Sequence, residues 1–166
     1  TDYNPPASWR PRKADKASVY RTFWKYYLRQ VIIKHEWVEL AGLCESILYG
    51  SGYDDIESEY RTYCRPYAYE YENILSYFVF RYFLKGVFDR DVLTKVKMAI
   101  VSTLMIMQCD MAVWKRSGGS LSFTERVDIA HLYSREVEHS EENFAALCKL
   151  FAHKKVFDEA GLDALL

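Results

Sequence analysis

Proline is scarce in this chain: of 4 in 166 residues, Pro5, Pro6 and Pro11 fall near the start and only Pro66 lies further on. A proline inside a helix removes a hydrogen bond and clashes with the preceding turn, so the rest of the chain is free to be helical over long stretches. Positions 1–15, where three prolines sit beside Trp9, Arg10 and Arg12, read as an extended lead-in, and 16–166 as one domain. The 4 cysteines, Cys44, Cys64, Cys109 and Cys148, form no C-x-x-C pair. That spacing excludes a zinc knuckle or an iron–sulfur cluster built from this sequence alone, and buried reduced thiols are expected instead. Net charge is only −1, which gives no overall pull toward nucleic acid or an anionic membrane. The longest uncharged stretch, 98–109, falls short of the ~20 residues of a membrane span, and no signal peptide is visible. A cytoplasmic protein with neither nucleic acid nor membrane as partner is the expectation. No GxGxxG, P-loop, strand-like alternation or internal repeat is present.

What the chain has in quantity is aromatic residues, 16% of the total with 14 tyrosines. A core built from such rings carries hydroxyls inward, and each needs a partner or water. Tyr20, Trp24, Tyr27, Leu28, Val31 and Ile32 recur at helical spacing and predict a helix over 16–34. Leu40, Leu43, Ile47 and Leu48 continue the pattern to 49, where Gly50-Ser51-Gly52 breaks it. Pro66 sets the start of a helix over 67–85, with Gly86 placed to stop it. A helix over 91–115, apolar almost all round, belongs in the middle of a bundle. Ser122 and Glu125 form a capping-box pattern, Ser140 caps a helix over 141–154, and 158–166 can form a short last one. The fold class is therefore all-α, an irregular bundle of about six helices. Eight basic residues between Arg10 and Lys34 face only Asp15, while 125–163 is mainly acidic, so the opening and closing helices are expected to face each other.

Three polar groupings interrupt the apolar rods. His131 and His139 are eight residues apart, about 12 Å of helical rise, so they cannot chelate one metal ion together. His131 and Arg135 share a helix face, and His139 near a C-terminus is favoured by the helix dipole when charged. This reads either as a cap with a satisfied histidine or as a binding site. Tyr63, Tyr67 and Tyr71, each four apart and close to Glu70, Glu72 and Asn73, present a stripe of rings and hydroxyls. Such a stripe is either wet-edged core or a cradle for a cation or sulfonium. Asp110, set in the apolar helix, must be paired or neutral, so a cation or hydroxyl is expected against it.

Tyr71-Glu72-Asn73-Ile74-Leu75 followed by Tyr77, Phe80, Arg81 and Phe83, and then Ser134-Arg135-Glu136-Val137-Glu138-His139-Ser140 with Phe144, resembles the flagellin lysine-N-methylase family. Order agrees as well: the first motif, a long apolar helix, an Arg-x-x-x-His helix end, and a Leu- and Ala-rich tail from Gly161. The resemblance covers 20–166 and implies S-adenosylmethionine-dependent methylation of lysine ε-amino groups on flagellin, in the setting of the bacterial flagellum. On that reading Tyr71, Glu72 and Asn73 line the catalytic site, and Arg135 and His139 contact cofactor or substrate. The family's iron–sulfur cysteine cluster has no equivalent here, so the chain corresponds to the family's C-terminal part, and the join at Gly50-Ser51-Gly52 is shorter than that pattern implies. The alternative reading is a non-catalytic helical module that binds flagellin or a partner subunit. A third is a helical adaptor unrelated to methylation.

Overall fold

The computed structural model describes residues 15–158 together with 161, 162 and 165; the proposed lead-in up to 14, and all of the proposed last helix beyond 158 except these three positions, lie outside the described residues. Seven α-helices and two short 3-10 turns make up this part, with no strand among the described residues. They are α1 (Lys16–Tyr27), α2 (His35–Leu48), α3 (Tyr53–Cys64), α4 (Ala68–Asp89), α5 (Val92–Arg116), α6 (Phe123–Val137) and α7 (Glu141–His153). The chain is an all-α bundle.

α5 is the axle. Sixteen of its 25 residues are buried, and α2, α3, α4, α6 and α7 all pack on it. It is long and apolar enough to cross a membrane, yet 67% of its most apolar window is covered by the surrounding helices, as befits the central rod of a bundle. Around it the aromatic core assembles much as the composition requires. Trp24 lies against Trp37 with centroids 5.2 Å apart, and Phe157 is held between Phe23 at 4.7 Å and Phe151 at 4.3 Å. Hydroxyls carried inward find each other: Tyr27 and Tyr133 pair at 2.8 Å, and Tyr133 donates to Ser102 at 2.9 Å. The thiols of Cys44, Cys64 and Cys109 are buried and that of Cys148 half-buried, all of them free. Burial pushes the Cys64, Cys109 and Cys148 thiols above their ordinary range, which keeps them unreactive.

Several boundaries differ from the sequence pattern, each for a physical reason. The first helix ends at Tyr27 instead of 34: the N–H groups of Leu28, Arg29 and Gln30 still bond back to Trp24, Tyr26 and Tyr27, and beyond them other groups capture the amides. Val31 N–H is bonded by Asn143 Oδ1 at 2.9 Å, and the N–H groups of Ile33 and Lys34 by Glu136 at 3.0 and 2.6 Å. The β-branched run Val31-Ile32-Ile33 also lowers helix propensity. α3 follows the Gly50-Ser51-Gly52 join, in a stretch to which the sequence pattern assigns no element. It starts at Gly52, whose φ of 82° suits glycine, and Asp54 and Asp55 sit in its first turn, where the helix dipole favours them. α4 runs past Gly86 to Asp89, because Gly86 packs inside the α4–α5 hairpin. A Cβ there would lie 3.1 Å from both the Lys95 side chain and the Val92 backbone. Among the described residues the opening and closing helices make no ion pair with each other. α1 makes its ion pairs with Glu57 of α3 and with its own Asp15.

Both sequence-predicted caps are formed. Ser122 Oγ accepts from Glu125 N–H at 3.2 Å while Glu125 returns the bond to Ser122 N–H at 2.8 Å, and Ser140 caps α7. Ser122→Ala is expected to lower stability by about 1 kcal/mol, a fall of roughly 2–4 °C in Tm by calorimetry.

Candidate functional site

The first polar island is built where α3 hands over to α4. Pro66 sits in the 3-10 turn Arg65–Tyr67, so the expected tyrosine stripe is split between three elements: Tyr63 on α3, Tyr67 in the turn and Tyr71 on α4. Tyr71 points inward. Its hydroxyl donates to Asp110 Oδ2 at 2.7 Å and lies 2.5 Å from the Tyr60 hydroxyl. Since Tyr71 has one proton and gives it to the carboxylate, Tyr60 is the donor in the second bond. Asp110 is 1% exposed and its Oδ1 has no protein partner. Burial lifts its carboxyl to about 7, against the pull of the Tyr71 hydrogen bond and the Arg126 charge. Burial and the neighbouring Asp110 charge likewise push the Tyr71 phenol far above its usual range, so it stays a donor. The hydroxyl expected against Asp110 is thus one of the stripe's own tyrosines.

Beside this chain, Arg126 of α6 grips Glu70 of α4 with two bonds, at 2.7 and 3.2 Å, and donates a third to Leu121 C=O at 2.8 Å. Its guanidinium lies 4.4 Å above the Tyr67 ring. Tyr63 bonds both the N–H and the C=O of Leu121, at 2.9 and 3.0 Å. Glu72 and Asn73, one and two steps around the helix from Tyr71, are exposed. The catalytic set read from the sequence is therefore divided by the helix itself, with Tyr71 inward and the other two toward solvent.

The second island is divided in the same way. Arg135 and His139 are exposed, as is His131, whereas the residues between them turn inward. Glu136, 2% exposed, holds residues 33 and 34 as described above. The Glu138 side chain, 1% exposed, receives Arg81 Nε at 2.7 Å and the Tyr77 hydroxyl at 3.0 Å. This motif carries buried carboxylates that fasten α4 and the residues before α2 to the end of α6. The two islands lie along one α4–α6 seam, at its Glu70–Arg126 end and its Arg81–Glu138 end.

A cleft that the sequence reading missed opens between α2, α5 and α6. Its volume is about 240 Å³. Leu40, Val113, Ile129 and Leu132 form an apolar floor, and the carboxylates of Glu36, Glu39, Glu125 and Asp128 stand around it with the single cation Arg116. The signal is present in the sequence as acids next to apolar residues at 39/40 and 128/129. It becomes a site only once α2 and α6 are known to be neighbours.

With this geometry in view, the comparisons place the chain. A family model described as FliB lysine N-methylase C-terminal domain matches residues 6–164, nearly the whole length, and the chain belongs to that family. Comparison with curated proteins and with solved structures gives no match.

The aromatic stripe does not fit the methyl donor that the resemblance implies. A sulfonium needs open ring faces and a free carboxylate. Here the Tyr67 face carries Arg126, Glu70 is spent on the same guanidinium, and the Tyr71 hydroxyl is bound to Asp110. Arg135 and His139 do not border the cleft between α2, α5 and α6.

Proposed function

We propose that this chain is the flagellin-recognising part of an S-adenosylmethionine-dependent lysine N-methylase, with the methyl donor held outside the residues named above. The observation that carries this reading is the cleft between α2, α5 and α6. Its apolar floor suits the four-carbon stem of a lysine, and its ring of carboxylates suits the ammonium at the end.

The electrostatics favour docking over chemistry at this cleft. Methyl transfer requires the neutral amine, whereas four carboxylates around an ammonium stabilise its charged form. The cleft therefore seats a lysine-bearing surface, and the transfer itself belongs where the amine can lose its proton.

The experiment is titration of this chain with flagellin, followed by calorimetry. Glu36→Gln combined with Asp128→Asn is expected to weaken binding roughly tenfold at ~0.1 M salt and to flatten its salt dependence. Stability should stay within about 0.5 kcal/mol, since both side chains are exposed. Unchanged affinity in the double variant would remove the cleft from recognition. The methylase activity is checked separately, by incubating the longer enzyme with flagellin and S-adenosylmethionine and measuring lysine mass shifts.

A further inference from the structure

α4 is poorly covered for a helix of its composition. Of its 22 residues only Phe78, Tyr82 and Gly86 are buried, all on the stripe that meets α5. The opposite face is apolar and open, with Phe80 80% exposed, Leu84 65%, Val87 54% and Tyr77 51%. Phe88 at 87% extends this surface at the end of α4, and Leu93 at 60% is exposed just across the turn on α5. At ~150–250 Å² for a whole aromatic side chain and less for leucine or valine, the open apolar area is on the order of 600–800 Å². The largest apolar patch on a typical monomer is ~300–600 Å², and a stable interface takes ~800 Å² from each partner.

The spacing says what kind of surface fits. Tyr77, Phe80, Leu84 and Val87 are separated by three, four and three residues, the seam that packs knobs into holes against another helix. Read backwards, three-four-three is the same pattern, so the seam is complementary to itself when reversed. An antiparallel copy sets Tyr77 against Val87 and Phe80 against Leu84, then repeats both layers by the two-fold axis, large residue against smaller each time. Charge follows the same order. Glu72 is exposed near the start of the helix and Arg90 is exposed just past its end, and neither has an ion-pair partner among the described residues. Antiparallel pairing brings each Glu72 end alongside the other copy's Arg90 end, and it opposes the two helix dipoles favourably.

We infer that the outer face of α4 is a homodimer interface in which two copies of the chain pack antiparallel along the Tyr77–Phe80–Leu84–Val87 seam. This assignment is independent of the lysine cleft, which lies on α2, α5 and α6.

Sedimentation equilibrium on the chain at tens of micromolar tests it. The expected mass is twice the 19.6 kDa of one chain. Phe80→Glu and, separately, Leu84→Lys should each weaken the dimer at least tenfold while leaving helicity and Tm of the monomer unchanged, because both side chains point to solvent. Glu72→Arg alone should weaken it, and Glu72→Arg with Arg90→Glu should recover part of the loss. A wild-type monomer at these concentrations overturns the proposal and leaves the face to a different protein. So does a dimer indifferent to both seam variants.

Discussion

Glu136→Ala is expected to lower the unfolding free energy by about 2–4 kcal/mol, seen as a shift of the urea midpoint with little change in slope. The carboxylate is almost wholly buried and accepts two backbone amides, those of Ile33 and Lys34. Hydrogen bonds to a charged acceptor contribute about 1.5–3 kcal/mol each, and part of the loss is recovered by water because residues 33 and 34 are themselves exposed. Glu136→Gln keeps one acceptor oxygen and should cost less than the alanine variant. Asn143 grips the same segment through the N–H and C=O of Val31 and also bonds the Glu136 carbonyl at 2.7 Å. The two residues act on one loop, so Glu136→Ala with Asn143→Ala should cost less than the sum of the singles. Hydrogen exchange at amides 31, 33 and 34 gives the local readout. Unchanged protection there in Glu136→Ala would show that the loop is held by other contacts.

This clamp also shows why the fold was only partly legible in the sequence. α5, α6 and α7 were readable because their signals are local: an apolar rod, a capping box and a serine cap. The end of α1 was not, because the groups that stop it stand more than a hundred positions away at Glu136 and Asn143. α3 was missed for another reason. Its inward positions are Tyr53, Ile56, Tyr60 and Cys64, a helical stripe in which the polar tips of tyrosine disguise apolar rings. The same ambiguity governed α4, where aromatic residues face both inward and outward and period alone cannot say which face is covered.

The motifs were legible as motifs, but not in their division of labour. The run 134–140 covers the last turn of α6 and the residues that leave it, so adjacent letters look in different directions. Residues that suggest chemistry by type, Arg135 and His139, face water, while Glu136 and Glu138 between them organise the bundle. At the other island the inward member, Tyr71, was named together with Glu72 and Asn73, and the partner that gives it meaning, Asp110, was read as a separate oddity. Nothing in the spacing of 71 and 110 joins them; the close α4–α5 packing does.

That pairing leads to the expectation that Asp110→Asn stabilises the protein at pH 8 and not at pH 5. The carboxyl titrates near 7 in the folded chain and near its ordinary 3.8 when unfolded, so the folded state keeps its proton to higher pH. Between these values the unfolded chain has released the proton and the folded chain has not, and stability therefore falls as pH rises. The loss begins above about pH 4 and is complete a little above 7. A separation of about three units corresponds to on the order of 4 kcal/mol. Asparagine keeps an oxygen for the Tyr71 hydroxyl and carries no charge, but its amide hydrogens enter a place where Oδ1 has no protein partner, which costs about 1–3 kcal/mol. The balance at pH 8 is a gain of roughly 1–3 kcal/mol, shrinking to nothing or reversing at pH 5. The comparison must be variant against wild type at each pH, because Glu125 and Asp89, held below their ordinary range by Ser122 and Lys95, impose the opposite slope on both proteins. Parallel stability curves from pH 4 to 8 would mean that Asp110 is ionised throughout, and that the Tyr71 bond and Arg126 outweigh its burial.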